Sequence, residues 1–134
     1  MKAAIVLIPG MMCTKDVFTS QINYLSYLFN VLVIEFNAYD DIASGVKDLS
    51  SNLPDEFHLL GHSMGGIVAM ELVKQLSERV LSLALLNTNP YEEKQELREK
   101  RNQRLKELDE LDLIALMKTD YIARYFPSNC KDKS

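Results

Sequence analysis

Four short apolar runs, spaced from Ala3 to Leu86, constrain this chain more than any other feature. They are Ala3–Ile8 (AAIVLI), Val31–Phe36 (VLVIEF), Phe57–Leu60 (FHLL) and Leu81–Leu86 (LSLALL). Each closes on turn formers: Pro9-Gly10, Asn37, Gly61 and Asn87. Continuous apolar runs without polar alternation are the pattern of strands buried on both faces, as in a parallel sheet. The segments between them have helical spacing instead. Asp16–Leu28 sets Val17, Phe18, Ile22, Leu25 and Leu28 near one face, and Asp40–Leu49 sets Ile42, Val46 and Leu49 on a stripe. Met64–Leu76 is the clearest, with Val68, Leu72 and Leu76 four apart and Ala69 and Val73 beside them. Strand–helix–strand units cross over right-handedly, so the expected fold class is α/β, a parallel sheet with helices on both faces.

The pattern changes after Pro90. Tyr91–Lys106 is dense in Glu, Lys, Arg and Gln, and Glu96 with Lys100 makes a favourable i,i+4 pair. Leu97, Leu105, Leu108 and Leu111 supply only a thin apolar stripe, Leu113–Met117 is more apolar, and the chain closes in the polar stretch PSNCKDKS. These read as helices lying over something else, not as a new sheet. The expected organisation is residues 1–89 as the sheet-bearing core and 90–134 as a helical, cap-like region with a polar tail. No Gly/Pro/Ser linker and no internal repeat divides the core.

With 134 residues, 47% hydrophobic and 25% charged, the chain has the balance of an ordinary globular protein. A net charge of -4 argues against a broad nucleic-acid-binding face. The apolar run behind Met1-Lys2 is cut off by Pro9-Gly10 too soon for a signal peptide. No stretch approaches the roughly 20 apolar residues of a membrane span. Cys13 and Cys130 are far apart and in no metal-ligand spacing, so a reducing cytoplasm is the simplest setting, and neither a metal nor a cofactor is expected.

Chemistry is concentrated at Gly61-His62-Ser63-Met64-Gly65, a G-x-S-x-G match followed by Gly66. An apolar strand runs into it and an apolar helix runs out, the context of a nucleophile elbow. Glycines two residues either side of the serine suit a sharp turn, where bulky neighbours would clash. Ser63 is the candidate nucleophile, at a helix N-terminus where free N–H groups favour developing negative charge. The candidate oxyanion donors are the N–H of Met64, which follows the nucleophile, and that of Met11 in the loop Ile8-Pro9-Gly10-Met11-Met12-Cys13. The plainer reading of Pro9-Gly10 is a turn and nothing more.

At these residues the chain resembles the α/β-hydrolase superfamily, in its serine esterase and thioesterase branch. LIPGMMCTKDVF looks like that family's strand, oxyanion loop and first helix, LLGHSMGGIVAMEL like its elbow, and RVLSLALLNTNP like its next strand and the entry to the cap. The resemblance implies the spatial strand order second, first, third, fourth, and a variable cap after Pro90. It also implies a later acid and histidine. Both histidines, His58 and His62, precede Ser63, and neither reads as the base: His58 is an alternating strand residue, and His62 points away from its neighbour on a sharp turn. Asp109, Asp112 and Asp120 read as a solvated helical face. The family's later strands, with the acid and histidine loops, are missing, so the chain reads as the N-terminal half of a truncated, split or degenerate hydrolase.

Two function classes follow. The first is hydrolysis of a carboxylic ester or thioester through a Ser63 acyl-enzyme, impaired for want of a base. The second is a non-catalytic remnant, a binding or interaction protein. Cys13 is a rival nucleophile with no base nearby, or a packed thiol. Met11, Met12 and Met64 suit an apolar acyl substrate, or are core filler. An incomplete sheet leaves Leu81–Leu86 as an open edge, which invites self-association or a complementing fragment.

Overall fold

A computed structural model describes residues 2–108, 114, 115, 118 and 119. Asp109, Leu111, Asp112, Leu113, Leu116, Met117, Asp120, Cys130 and the PSNCKDKS tail lie outside the described residues. The chain divides into two compact units, Met1–Pro90 and Tyr91–Ser134.

The first unit is built on four parallel strands, β1 (Ala4–Ile8), β2 (Asn30–Val33), β3 (Phe57–His62) and β4 (Val80–Leu86), in the order β2-β1-β3-β4. This is the order that the resemblance implies, and each neighbouring pair is parallel. The crossovers carry α1 (Thr19–Leu25), α2 (Ile42–Leu49) and α3 (Met64–Gln75). Strand alternation sorts the core into two layers. Val6, Ile8, Phe57 and Leu59 meet Val46 of α2 and Val68, Ala69 and Leu72 of α3. Ile5 and Leu7 face the other way, onto Phe18, Ile22 and Leu25. Helices therefore cover both faces of the central strands.

Several element bounds differ from the sequence pattern by a residue or more. β2 stops at Val33; Ile34 N–H still reaches the Leu7 carbonyl at 2.9 Å, and Phe36 then leaves the ladder to pack in the core. The segment before α1 begins as a 3₁₀ turn over Lys15–Phe18, capped by the Thr14 hydroxyl on Asp16 N–H, and the α-helix ends at Leu25. β3 continues past Leu60 to His62, since Gly61 and His62 pair with Leu85 and Leu86.

Burial on both faces fails at the two outer strands: β2 alternates exposed and half-buried residues, with Leu32 exposed, and β4 is the open edge expected of Leu81–Leu86. Residues 81–86 are all exposed, on both alternations of the strand. The cause is position: among the described residues, β4 is the outermost strand on its side and is bonded to β3 alone. Its entrance is nonetheless fastened. The Arg79 guanidinium donates to the carbonyls of Ser50 (2.9 Å), Leu53 (2.7 Å) and Pro54 (2.9 and 3.3 Å), stapling the start of β4 to the loop before β3.

The second unit carries α4 (Gln95–Leu108), which has no buried residue. Lys100 pairs with Glu96 at 2.7 Å, and Arg101 with Glu93 at 2.7 Å. Surface pairs of this kind contribute only about 0–1 kcal/mol each. Among the described residues, no helix is long and apolar enough to cross a membrane.

Candidate active site

Ser63 stands alone between the last residue of β3 and the first of α3, with φ 54° and ψ −120°. That is left-handed backbone for a residue with a side chain, a conformation costing about 1–3 kcal/mol that persists only where its surroundings enforce it. The surroundings do so from three directions. The Ser63 N–H donates to the Leu86 carbonyl at 2.9 Å. The Ser63 carbonyl accepts from Gly66 N–H at 2.9 Å and from the Thr88 hydroxyl at 2.8 Å. From below, Gly65 lies so close to β1 that a Cβ there would strike the carbonyl oxygens of Ile8 and Pro9. The serine itself is exposed. Strand, elbow and helix thus lift one hydroxyl above the carboxyl end of the sheet, at the N-terminus of a 12-residue helix.

Among the described residues, two other non-glycine residues have positive φ, Met12 at 61° and Asn87 at 46°. They follow β1 and β4, the two neighbours of β3. Backbone strain is therefore gathered beyond the carboxyl ends of three adjacent strands, where α/β sheets bind their ligands.

The loop after β1 lies beside the elbow. A Cβ on Gly10 would come within 3.2 Å of Ser63 Cβ and 3.3 Å of His62 Nδ1. Cys13 N–H closes the turn on the Gly10 carbonyl at 3.1 Å, and Lys15 N–H anchors its far side on Glu35 at 2.7 Å. Met11 and Met12 are half exposed, while Met64 packs partly buried against the larger core cluster. Cys13 is a free, half-buried thiol.

The histidines are engaged elsewhere. His58 Nδ1 shares a 2.8 Å hydrogen bond with Ser82 Oγ, and its ring meets Phe29 edge-on at 5.4 Å. His62 meets Phe18 edge-on at 6.4 Å, and its Nδ1 is buried without a hydrogen-bond partner. Neither imidazole is bonded to Ser63 among the described residues. Asp109, Asp112 and Asp120 lie outside the described residues. In the second unit, a concavity of about 430 Å³ lined by Glu92, Glu93, Arg98 and Glu99, among others, contains none of these groups.

Sequence reasoning read Asn87 as a turn former and missed Thr88. The NTNP stretch signals a turn after β4, but nothing local shows that Thr88 reaches a carbonyl 25 positions earlier.

Residues 33–124, more than half of the chain, match the thioesterase domain family. The fold is similar to a marine microorganism esterase (TM-score 0.65, 21% identity, 84% of this chain and 48% of that one). It is also similar to a thermophilic esterase from Thermogutta terrifontis (TM-score 0.68, 18% identity, 93% and 48%). A deformylase from Pseudomonas putida S16 matches less closely (TM-score 0.54, 18% identity, 77% and 48%). The chain spans about half the length of these solved structures. Comparison with curated protein sequences gives no significant match.

Proposed function

The chain belongs to the thioesterase domain family, and from that premise we propose that Ser63 is the nucleophile of an acyl-transfer site acting on carboxylic esters or thioesters. The observation that carries this reading is the left-handed, exposed Ser63 at the junction of β3 and α3. A strained serine at that junction is what a nucleophile elbow requires, and an incidental serine has no reason to hold such a conformation. Ser63 Oγ adds to the acyl carbon and the carbonyl electron pair moves onto oxygen. The N–H groups of Met64 and Met11 receive that oxyanion, aided by the N-terminal end of α3. Collapse breaks the C–O or C–S bond, and the alcohol or thiol leaves with the serine proton. Water then repeats the addition, releasing the acid and restoring Ser63. The half-exposed Met11 and Met12 suit an apolar acyl group. A reducing cytoplasm is the proposed setting, supported by a chain with only two cysteines.

The polypeptide of these 134 residues turns over slowly in this reading, because both histidines precede Ser63 and are packed against Phe29 and Phe18. A serine without a base is a weak nucleophile, and an oxyanion hole alone leaves only residual catalysis. The test is turnover of short-chain p-nitrophenyl esters and acyl thioesters by wild type and Ser63→Ala. Slow turnover lost in Ser63→Ala is expected. Turnover unchanged by Ser63→Ala would reject the nucleophile, and fast Ser63-dependent turnover would reveal a base among these residues.

A second reading, a binding or interaction module, is favoured by β4. Its leucines are exposed on both sides of a strand that contains no proline or charged residue, the features that normally blunt an open edge. Self-association through this edge, or capture of a complementing fragment, would appear as concentration-dependent mass in sedimentation. A monomer at all concentrations would remove the self-association.

A further inference from the structure

The peptide group joining Ser63 to Met64 has a carbonyl at one end and an N–H at the other. It is trans and planar, so the two point in opposite directions, and holding the oxygen aims the hydrogen. Two donors hold that oxygen. Gly66 N–H, at 2.9 Å, belongs to the first turn of α3 and moves with it. The Thr88 hydroxyl, at 2.8 Å, comes from a separate segment beyond β4. Thr88 reaches this position because β4 ends at Leu86, whose carbonyl takes the Ser63 N–H at 2.9 Å, and the chain then bends at left-handed Asn87. The approach is close: a Cβ on Gly66 would meet Thr88 Cβ and Oγ1 at 2.5 Å.

We propose that Thr88 is a positioning residue that sets the direction and strength of the Met64 N–H through the Ser63 carbonyl. This rests on the reading of Ser63 and Met64 given above. The tether fixes the peptide plane to the sheet as well as to the helix, so that the N–H keeps its aim when α3 moves. A donor on the carbonyl also polarises the amide and strengthens its N–H as a donor. β4 thereby contributes to the site although it presents no reacting group to it. The residue acts only through the peptide that it holds.

The test uses the full isotope-labelled chain as wild type, Thr88→Val and Thr88→Ser. Valine keeps the shape against Gly66 and removes the hydroxyl, and serine keeps the hydroxyl. The readouts are the Ser63 carbonyl ¹³C and Met64 amide ¹⁵N shifts, and the rate at which a fluorophosphonate labels Ser63, read by peptide mass with Ser63→Ala as control. Thr88→Val is expected to move both shifts and to slow labelling about tenfold, less than loss of an oxyanion donor outright. Thr88→Ser is expected to restore both, at a melting temperature similar to that of Thr88→Val. Unchanged shifts in Thr88→Val would overturn the inference. Moved shifts with an unchanged labelling rate would overturn it too, as would a serine variant that behaves like valine. A wild-type Ser63 no more reactive than the other serines would instead sink the nucleophile reading, and the two shifts would then decide the tether by themselves.

Discussion

Leu59 and Leu83 are the same residue type and stand opposite each other in the β3–β4 ladder, yet Leu59 is 1% exposed and Leu83 is 39% exposed. The difference extends to the whole strands. β1 and β3 have neighbours on both sides and helices over both faces, so Val6, Leu7, Ile8, Phe57 and Leu59 are closed off from water. β4 has the same apolar composition and a full ladder on one side only. Apolar content thus reports what a strand is able to bury, and its place in the sheet order decides whether it does. The two regions also divide the work of the site. The centre supplies the elbow, and the edge supplies the Leu86 carbonyl and the Thr88 hydroxyl that hold it.

The most direct way to break this comparison is to truncate the paired leucines. Leu59→Ala is expected to cost about 3 kcal/mol, within the range for a closed core site. Leu83→Ala is expected to cost about 1 kcal/mol or less, since much of its side chain already meets water. Urea titrations of both variants measure the difference, and equal losses would mean that β4 is covered in solution.

A charge on the edge gives a smaller effect on stability and a sharper one on association. Leu85→Lys places a cation on the open strand, where lysine commonly blocks edge pairing. Any concentration-dependent mass of the wild type should disappear in this variant, with stability changed by only about 0.5 kcal/mol. Persistent association would place the contact elsewhere.

The smallest expected effect sharpens the other side of the comparison. Asp41 caps α2, which covers one face of the centre, and its carboxylate accepts Ser44 N–H at 2.8 Å. Hydrogen bonds from Ser44 lower its pKa below the usual aspartate value. A depressed folded-state pKa means that the cap's contribution is present above the unfolded value and is lost as pH falls through the folded one. Wild type should therefore melt above Asp41→Ala at neutral pH, and the gap should close in acid. A gap that widens in acid would contradict this sign.

Much of this molecule was legible without coordinates, for reasons that differ by element. The four runs and the three crossover helices follow from short-range physics: apolar periodicity, turn residues and caps act within a few positions. The elbow was legible because a strand, a glycine-flanked serine and a helix are consecutive in the chain. The resemblance carried the strand order, which periodicity alone does not encode. Beyond that, the tertiary structure decided. It left β4 exposed on both alternations, beyond the open edge expected of Leu81–Leu86, because burial depends on what lies across the sheet and not on the strand's own residues. It cut β2 short and turned Phe36 inward. It set Gly10 against Ser63 and Thr88 over the Ser63 carbonyl, and it engaged His58 and His62 with partners other than the serine. Each of these contacts joins residues far apart in sequence, and only the register of neighbouring strands brings such residues together.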